Sequence, residues 1–246
     1  MATTVGIIQA RMGSRRFPGK ILQKVAGIPL LDLVVSRVRR ANMVDKWILA
    51  TTMDKVDDCL VDRFEGLPVF RGPAENVLAR FYLCAKKYNV EPADIIVRIT
   101  ADDPVKDAAL VDRVIMEMIM DTALDYCSNT LVPTFPLGLD VEAFRMRALE
   151  RAYWEAILEY DCEHVTPYIC NNPDLFTRKN IDNPAGDYSK WRWTIDTRED
   201  LYAMNELFRL FSKVNPLTVK WDDLLWLIEE TQPGANVAGR TDAAVR

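Results

Sequence analysis

From Ile7 to Lys20 the chain reads IIQARMGSRRFPGK, which sets four fixed cations, two glycines and a serine into positions 11 to 20. A triphosphate brings about four negative charges, and only backbone N–H groups at a bend together with Arg and Lys side chains can replace its hydration shell. Gly13 and Gly19 allow close backbone approach, Ser14 adds a hydroxyl, and Arg11, Arg15, Arg16 and Lys20 supply countercharge. The spacing is not that of a Walker loop, because five residues separate Gly13 from Gly19 and Ile21 follows Lys20. No glycine pair has the spacing of a dinucleotide fingerprint either. A basic surface turn is the other reading, and the density of Arg, Gly and Lys favours a phosphate loop.

Carboxylates are the second ingredient. Asp102 and Asp103 follow the apolar run IIVRIT and precede Pro104, a position suited to holding a hard cation such as Mg²⁺ against substrate phosphates. Asp before Pro is also a common turn or capping choice, and that is the expectation for Asp103. Asp196 ends RWTI and precedes TREDL, where Thr197 and Asp200 suffice to start a helix and leave Asp196 free. Asp140 and Glu142 alternate along one strand and share a face, either a functional pair or a solvated strand edge. Arg71 and Gly72 follow a short strand within reach of a base or ribose. Arg80 and Arg98 suit structural ion pairs as well as a site. His164 is the only histidine, and nothing beside it makes a nucleophile and base pair.

The elements that must position these groups alternate. Val5–Ile8 predicts a strand, 29–41 a helix with Leu30, Leu33, Val34 and Val38 on one face, 46–51 a strand, 56–65 a helix and 67–70 a strand. A helix is predicted over 74–88, a strand over 94–100, a helix over 107–120 and a strand over 125–128. This β-α-β alternation predicts an α/β fold with a mainly parallel sheet flanked by helices, whose ligands bind beyond the carboxyl ends of the strands. The alternation stops at TLVPTFPLGLD. Beyond it, strands are predicted over 139–144, 176–181 and 191–195, and helices over 147–159, 163–170, 198–211 and 222–229. Residues 232–246, rich in Gly, Ala and Thr, predict a loosely held tail.

The composition narrows the function. A chain of 246 residues, 49% hydrophobic, can bury one sizeable core, so residues 1–231 are expected to form a single domain. A net charge of −5, with cations gathered at 11–20 and 37–40, suits a small anionic ligand and argues against nucleic acid. Five scattered cysteines without a C-x-x-C pair read as free thiols of a reducing compartment. With neither a signal peptide pattern nor a long apolar run, a cytoplasmic protein without a membrane partner is expected.

The run QARMGSRRFPGK closely resembles the opening motif of cytidylyltransferases that activate acidic sugars. The nearest branch is that of spore coat polysaccharide biosynthesis proteins, with sialic acid and deoxy-octulosonate cytidylyltransferases as more distant relatives. FRGPAENVLARFY, VRITADDP, FPLGLDVEAF, CEHVTPYI and RWTIDTREDL continue the resemblance in order along nearly the whole chain. It implies a Rossmann-like nucleotidyltransferase fold, with residues 129–190 as an excursion that makes a homodimer arm. It implies Asp102 and Asp196 as ligands of Mg²⁺, the motif residues Gln9, Ala10, Arg11, Gly13, Ser14, Arg15 and Lys20 as substrate-binding, Asp140 and Glu142 on the acceptor side, and His164 shaping the acceptor pocket. One departure is Thr100, where the deoxy-octulosonate enzymes carry Gln two residues before the metal-binding Asp, so the reading of the base is expected to differ.

The resulting expectation is a Mg²⁺-dependent transfer of CMP from CTP to a small acidic sugar with release of pyrophosphate. Arg11, Arg15 and Lys20 would hold the β and γ phosphates. Positioning and charge stabilisation suffice for this chemistry, which matches a chain without a nucleophile and base pair. The alternatives are a glycosyltransferase using a nucleotide sugar, for which Asp140-Val-Glu is the nearest thing to an Asp-x-Asp motif, a transferase acting on a non-sugar acceptor such as a phosphonate, and a non-catalytic nucleotide-binding module.

Overall fold

The computed structural model describes residues 2–231. The expected tail from Gln232 onward lies outside them. The chain starts with β1 (Thr4–Gln9), whose run is apolar throughout because both of its faces are covered: Ile7 packs into one core cluster and Ile8 into the other. Each such fully buried side chain contributes on the order of 1.5–3 kcal/mol. A short 3₁₀ turn (Lys20–Leu22) and the small hairpin of β2 (Lys24–Val25) and β3 (Ile28–Pro29) lead into α1 (Leu30–Val38). Then come β4 (Lys46–Thr52), β5 (Val69–Gly72), α2 (Val77–Lys87), β6 (Ile95–Thr100), α3 (Ala108–Met120) and β7 (Tyr126–Ser128). After the proline-rich segment follow β8 (Glu142–Arg145), α4 (Met146–Glu155), α5 (Glu159–His164), α6 (Pro167–Asn171), β9 (Arg178–Asn180), α7 (Arg198–Leu210) and α8 (Trp221–Thr231).

Seven strands form one sheet in the order β5-β4-β1-β6-β8-β7-β9. Only β8 runs against its neighbours β6 and β7; the other pairings are parallel. Helices cover both faces, with α1, α3, α7 and α8 contributing to one cluster and α2, α4 and α6 to the other. In the chain β4 follows on one side of β1 while β6 lies on its other side, so the crevice beyond the ends of β1 and β6 is the topological switch point where open α/β sheets bind ligands.

Several expected elements differ. The helix expected over 56–65 is a 3₁₀ turn, Lys55–Leu60, and the physical reason is Asp57. Its side chain is buried and accepts from the Thr52 N–H (3.3 Å), the Thr52 hydroxyl and the Met12 N–H (2.7 Å), which draws the backbone in tightly. The helix expected from residue 74 begins at Val77, where Asn76 accepts from the Ala79 N–H at 2.7 Å. The helix expected over 163–170 is broken at Val165, which has φ 75°, before Pro167 at the first position of α6.

The strand expected over 191–195 is extended chain with one isolated bridge, Leu137 to Arg192. Trp191, Trp193 and Ile195 do alternate inward, as the sequence pattern required. The backbone, however, bonds two different loops: the Trp193 N–H donates to the Leu137 carbonyl at 2.7 Å, and the Ile195 N–H to the Asp102 carbonyl at 2.9 Å. Within 129–190, β8 and β9 belong to the main sheet.

Candidate active site

β1 and β6 are hydrogen-bonded in parallel register, with Gln9 opposite Thr100, so the loop after Gln9 and the aspartates after Thr100 leave the sheet side by side. The bond from Ile195 to Asp102 adds the third strand of chain and places Asp196 against the same point. Lys20 joins them: its Nζ donates to Asp102 Oδ2 (2.8 Å), Asp196 Oδ1 (2.9 Å) and the Ile195 carbonyl (2.8 Å). Both aspartate oxygens bond one ammonium, so the two carboxylates face one point. Two carboxylates with phosphate oxygens and water are a usual set for Mg²⁺, and no group of three or more His, Cys, Asp or Glu ligands occurs among the described residues. The donor set therefore fits Mg²⁺ held jointly with a triphosphate.

Electrostatics follow from this clustering. Burial alone lowers the Lys20 pKa, and the two aspartates more than offset it, so Lys20 is held above its ordinary value. Burial likewise raises Asp196, while Lys20, Arg16 (3.0 Å) and Arg192 (2.9 Å) outweigh it and hold the carboxyl below the usual range. Thr197 and Asp200 form the capping box of α7, as the sequence suggested, and Asp200 also accepts from the Asp196 N–H at 2.8 Å.

The phosphate loop is shaped from within. Gly19 has φ 72° and its N–H donates to the Met12 carbonyl (2.9 Å), as does that of Ser14 (2.9 Å), which curls residues 12–19 back on themselves. Asp57 fastens the loop to the neighbouring strand through the Met12 N–H. The resulting cavity of about 410 Å³ is lined by Gln9, Ala10, Ser14 and Thr100 with six cations, Arg11, Arg15, Arg16, Lys20, Arg80 and Arg98, against three carboxylates, Asp102, Glu163 and Asp196.

Arg80, which the sequence left between a site and a structural role, is buried at the cavity wall, where its Nη1 donates to the carbonyls of Pro73 (2.6 Å) and Ala74 (3.2 Å). Burial, with Arg11 nearby, pushes its pKa down to about 10. Arg98 donates its Nε–H to Gln9 Oε1 at 3.0 Å, which leaves the Gln9 amide NH₂ for a ligand.

A second cavity of about 370 Å³ adjoins the first and shares Arg98, Thr100, Asp102, His164 and Asp196 with it. Its own wall includes Asp103, Asp140, Glu142, Thr130, Tyr160, Thr166 and Thr194. Gly138, at φ 107°, lets this loop press against the backbone of Trp193 and Thr194, where an added Cβ would lie 3.0 Å from the Thr194 nitrogen. Glu142 is not on a solvated edge: β8 is an inner strand, and Glu142 pairs with Arg98 and accepts from Tyr126 (2.8 Å) and Thr166 (2.5 Å). Burial alone raises Glu142, and Arg98 with these hydroxyls overrides it to hold the carboxyl below its ordinary value. Asp103 accepts from Thr100 and pairs with the buried Lys106 at 2.8 Å; burial nevertheless pushes it up to about 7.

The structure thus brings Gln9, Ala10, Arg11, Ser14, Arg15, Lys20, Thr100, Asp102, Asp140, Glu142, His164 and Asp196 to the walls of two contiguous cavities. Gly13 and Arg71 line neither. Arg71 instead ties a neighbouring turn, donating to the Thr52 and Asp54 carbonyls (2.8 Å each) and pairing with Asp58 at 2.6 Å. Asp57, Lys106 and Arg192 support the site and were not singled out from the sequence. Asp57 stands among ordinary surface-helix residues, and nothing in its neighbours signals a partner 45 positions away.

The sequence profile of the family described as cytidylyltransferase matches residues 5–216. The spore coat polysaccharide biosynthesis protein SpsF of Bacillus subtilis (strain 168) is 35% identical over 219 residues, covering 82% of this chain and 85% of that protein. The 3-deoxy-manno-octulosonate cytidylyltransferase of Anaeromyxobacter sp. (strain K) is 37% identical over a shorter stretch, 46% of each chain. Among solved structures, a cytidylyltransferase from Leptospira borgpetersenii superposes with a TM-score of 0.86 at 30% identity, over 94% of this chain and 95% of that one. The fold is also that of a CMP-2-keto-3-deoxy-manno-octonic acid synthetase complexed with CTP, at a TM-score of 0.65 and 19% identity. With a profile match over most of its length and a relative of this similarity, the chain belongs to the cytidylyltransferase family.

Proposed function

We propose that this nucleotidyltransferase binds CTP in the cation-lined cavity and transfers CMP to a hydroxyl of a sugar-like acceptor held in the adjoining cavity, as a step in surface polysaccharide or glycoconjugate synthesis. The acceptor oxygen forms a bond to the α-phosphorus, the bond from that phosphorus to the β-phosphate oxygen breaks, pyrophosphate leaves, and the hydroxyl proton passes to solvent. The observation that carries this reading is the convergence of Lys20, Asp102 and Asp196 where the two cavities meet.

Lys20, Arg11 and Arg15 hold the β and γ phosphates, and the Gln9 amide and the turn fixed by Arg80 face the nucleoside. Asp102 and Asp196 would hold Mg²⁺, which when bound supplies charge neutralisation at the phosphates and acidifies a coordinated hydroxyl. In the present arrangement Lys20 bonds both carboxylates, so its move to the phosphates frees Asp102 and leaves Asp196 with Arg16 and Arg192.

Pyrophosphate release measured with each of the four nucleoside triphosphates and a panel of acceptors tests the reading, with CTP preferred. Asp102→Asn and Asp196→Asn should each abolish turnover while CTP still binds without metal. The double change should be little worse than either single one, because groups serving one ion act as a unit. Additive losses would remove the shared site.

The protein is also proposed to be a homodimer through residues 129–190. Trp154, Ile157, Leu158 and Tyr160 in that segment are 61–90% exposed, an apolar surface suited to a second copy. Light scattering that returned a monomer mass at micromolar concentration would remove this part. The working compartment is proposed to be the cytoplasm, where CTP and free thiols coexist.

A further inference from the structure

Asp196 carries on its outer side a cation that stands in the wall of neither cavity. Arg192 lies four residues before it on the same extended chain, and two bonds fix the backbone around it against Leu137: the Leu137 N–H donates to the Trp191 carbonyl (2.8 Å) and the Trp193 N–H to the Leu137 carbonyl (2.7 Å). The Arg192 guanidinium donates from Nη2 to Asp196 Oδ2 at 2.9 Å. It also forks onto Asp200, from Nη1 to Oδ1 and from Nη2 to Oδ2, the latter at 3.2 Å. Asp200 is itself tied down, since its Oδ2 accepts from the Asp196 and Thr197 N–H groups (2.8 Å each) at the start of α7. Neither Arg192 nor Asp200 lines either cavity, and their side chains are mostly buried.

The two oxygens of Asp196 therefore have different neighbours. Oδ2 meets Arg192 outside the cavities, whereas Oδ1 meets Lys20 (2.9 Å) and Arg16 (3.0 Å), both of which line the cavity proposed for the nucleotide. A guanidinium bound to a metal-binding carboxylate would ordinarily compete with the metal for its charge. Here Asp200 supplies the countercharge, so the Arg192–Asp200 pair adds no net charge beside the ion. The planar fork also fixes a direction, which the point charge of an ammonium does not. Outer partners of this kind orient a metal-binding carboxylate, and losing one typically costs about 10–100-fold in metal affinity or activity.

We propose that Arg192, with Asp200 as its counterion, is a positioning residue for the metal: it holds Asp196 by Oδ2, so that Oδ1 alone turns to the ion shared with the triphosphate. This deepens the preceding reading and rests on Asp196 as a ligand of that ion. Arg192 acts through Asp196 and touches neither nucleotide nor acceptor. It therefore governs how strongly metal and nucleotide bind together, and not how strongly the nucleotide binds alone.

Calorimetry of CTP on the full chain without acceptor, once in EDTA and once in saturating Mg²⁺, reads that coupling as a ratio of two affinities. The native protein is expected to bind CTP more tightly with Mg²⁺, and Asp196→Asn to remove the gain. Arg192→Lys keeps the charge and loses the fork. It should bind CTP in EDTA within about threefold of the native protein, while the Mg²⁺ gain falls by about tenfold. Arg192→Gln, which can donate to one carboxylate but cannot fork, is a second variant with the same expectation. Thr197→Val is the structural control: it removes the hydroxyl that accepts from the Asp200 N–H (3.2 Å) in the helix cap and leaves Arg192 in place, so the melting temperature should fall and the Mg²⁺ gain persist. A native Mg²⁺ gain in both Arg192 variants, equal losses with and without Mg²⁺, or a Thr197→Val protein that loses the gain as well overturns the inference. Asp196→Asn separates the two levels. If it leaves the gain intact, or the native protein shows none, the metal reading falls and the inference with it; if the gain depends on Asp196 but not on Arg192, only the inference falls.

Discussion

The cavity proposed for the nucleotide and the one proposed for the acceptor share a wall and differ in almost everything else. The first is a loop structure, built on the carboxyl ends of parallel strands, with loop cations that are exposed, such as Arg15, or held by carboxylates, such as Lys20, while Arg80 in its wall is buried on backbone carbonyls. The second is a strand-and-core structure, built around the antiparallel β8 where it enters the sheet, with Glu142 paired to Arg98 and Asp103 to Lys106 inside the protein. Cations of the first kind are available to a ligand because little protein structure depends on them. Charges of the second kind hold the fold and can only repel or accept. The difference teaches that a site's charge count matters less than which of its charges are already satisfied, and single substitutions on either side of the shared wall should separate the two kinds.

The largest effect is expected at Lys20. Lys20→Met keeps the length and removes the one cation that bonds both carboxylates, so kcat should fall by about 10²–10³, the scale of losing one preorganised charge-stabilising donor. The fold should survive, since Arg16 and Arg192 still pair with Asp196. Steady-state pyrophosphate release gives the number. A loss under tenfold would mean the loop is a basic surface turn and the contrast between the two cavities is only one of composition.

Glu142 is the opposite case. Glu142→Gln leaves Arg98 as an uncompensated charge in the sheet, and unfolding by urea should show a stability loss of about 3–5 kcal/mol. The pH dependence has a definite sign. The folded-state pKa of Glu142 is depressed, so its contribution is full above the ordinary value for glutamate and is lost as pH falls through the lower folded value. Thermal melts of the native protein should therefore drop on acidification in that window, and the Gln variant should be flatter there. A variant as stable as the native protein would place Arg98 among the cations available to a ligand.

Asp57 tests whether the loop's shape matters apart from its charge. Asp57→Asn turns an amide NH₂ toward groups that donate, the Thr52 N–H and hydroxyl or the Met12 N–H, and each unsatisfied buried donor costs about 1–3 kcal/mol. The KM for CTP should rise about tenfold with the KM for acceptor unchanged. Parallel changes in both constants would show that the two cavities are not built independently.

Much of the alternation of strands and helices up to β7 was legible because a doubly covered parallel sheet forces continuous apolar runs separated by amphipathic helices, and β1, β4 and β6 follow that pattern. That the loop after Gln9 and Asp102 meet at one cavity was legible for the same reason, since each directly follows such a run. Asp196 was reached by a premise that the structure changes: its segment has the inward alternation of Trp191, Trp193 and Ile195 yet lies outside the sheet ladder, and bonds to Leu137 and Asp102 bring it in. Alternation reports burial on one side, not the partner of the backbone. Asp57 and Lys106 were illegible because the bonds that tie them to the site, to the Met12 N–H and the Asp140 carbonyl, cross to other parts of the chain, and an acid or base carries no local mark of a distant bond. The placement of β8 inside the sheet was hidden likewise, since antiparallel insertion after a proline-rich crossing leaves no periodic signature of its own.

The smallest effect is expected at Arg15, and its smallness is informative. Arg15 has a side chain 77% exposed and sits 3.5 Å from a Glu75 that is 75% exposed, so water screens it from both this partner and an incoming phosphate. Exposed pairs of this kind are worth about 0.2–1 kcal/mol, which corresponds to a change in CTP affinity of about fivefold or less for Arg15→Gln. The residual effect should also fade as salt rises, because a charge in open solvent is screened within about 8 Å at physiological ionic strength while Lys20, buried between its carboxylates, is not. Titrating CTP into the native protein and the Gln variant at low and at high salt therefore measures where Arg15 sits when nucleotide is bound. A loss as large as that of Lys20→Met, insensitive to salt, would show that residues 13–16 fold down over the triphosphate and bury Arg15 there, so that the nucleotide side is a closing structure and the acceptor side the fixed one.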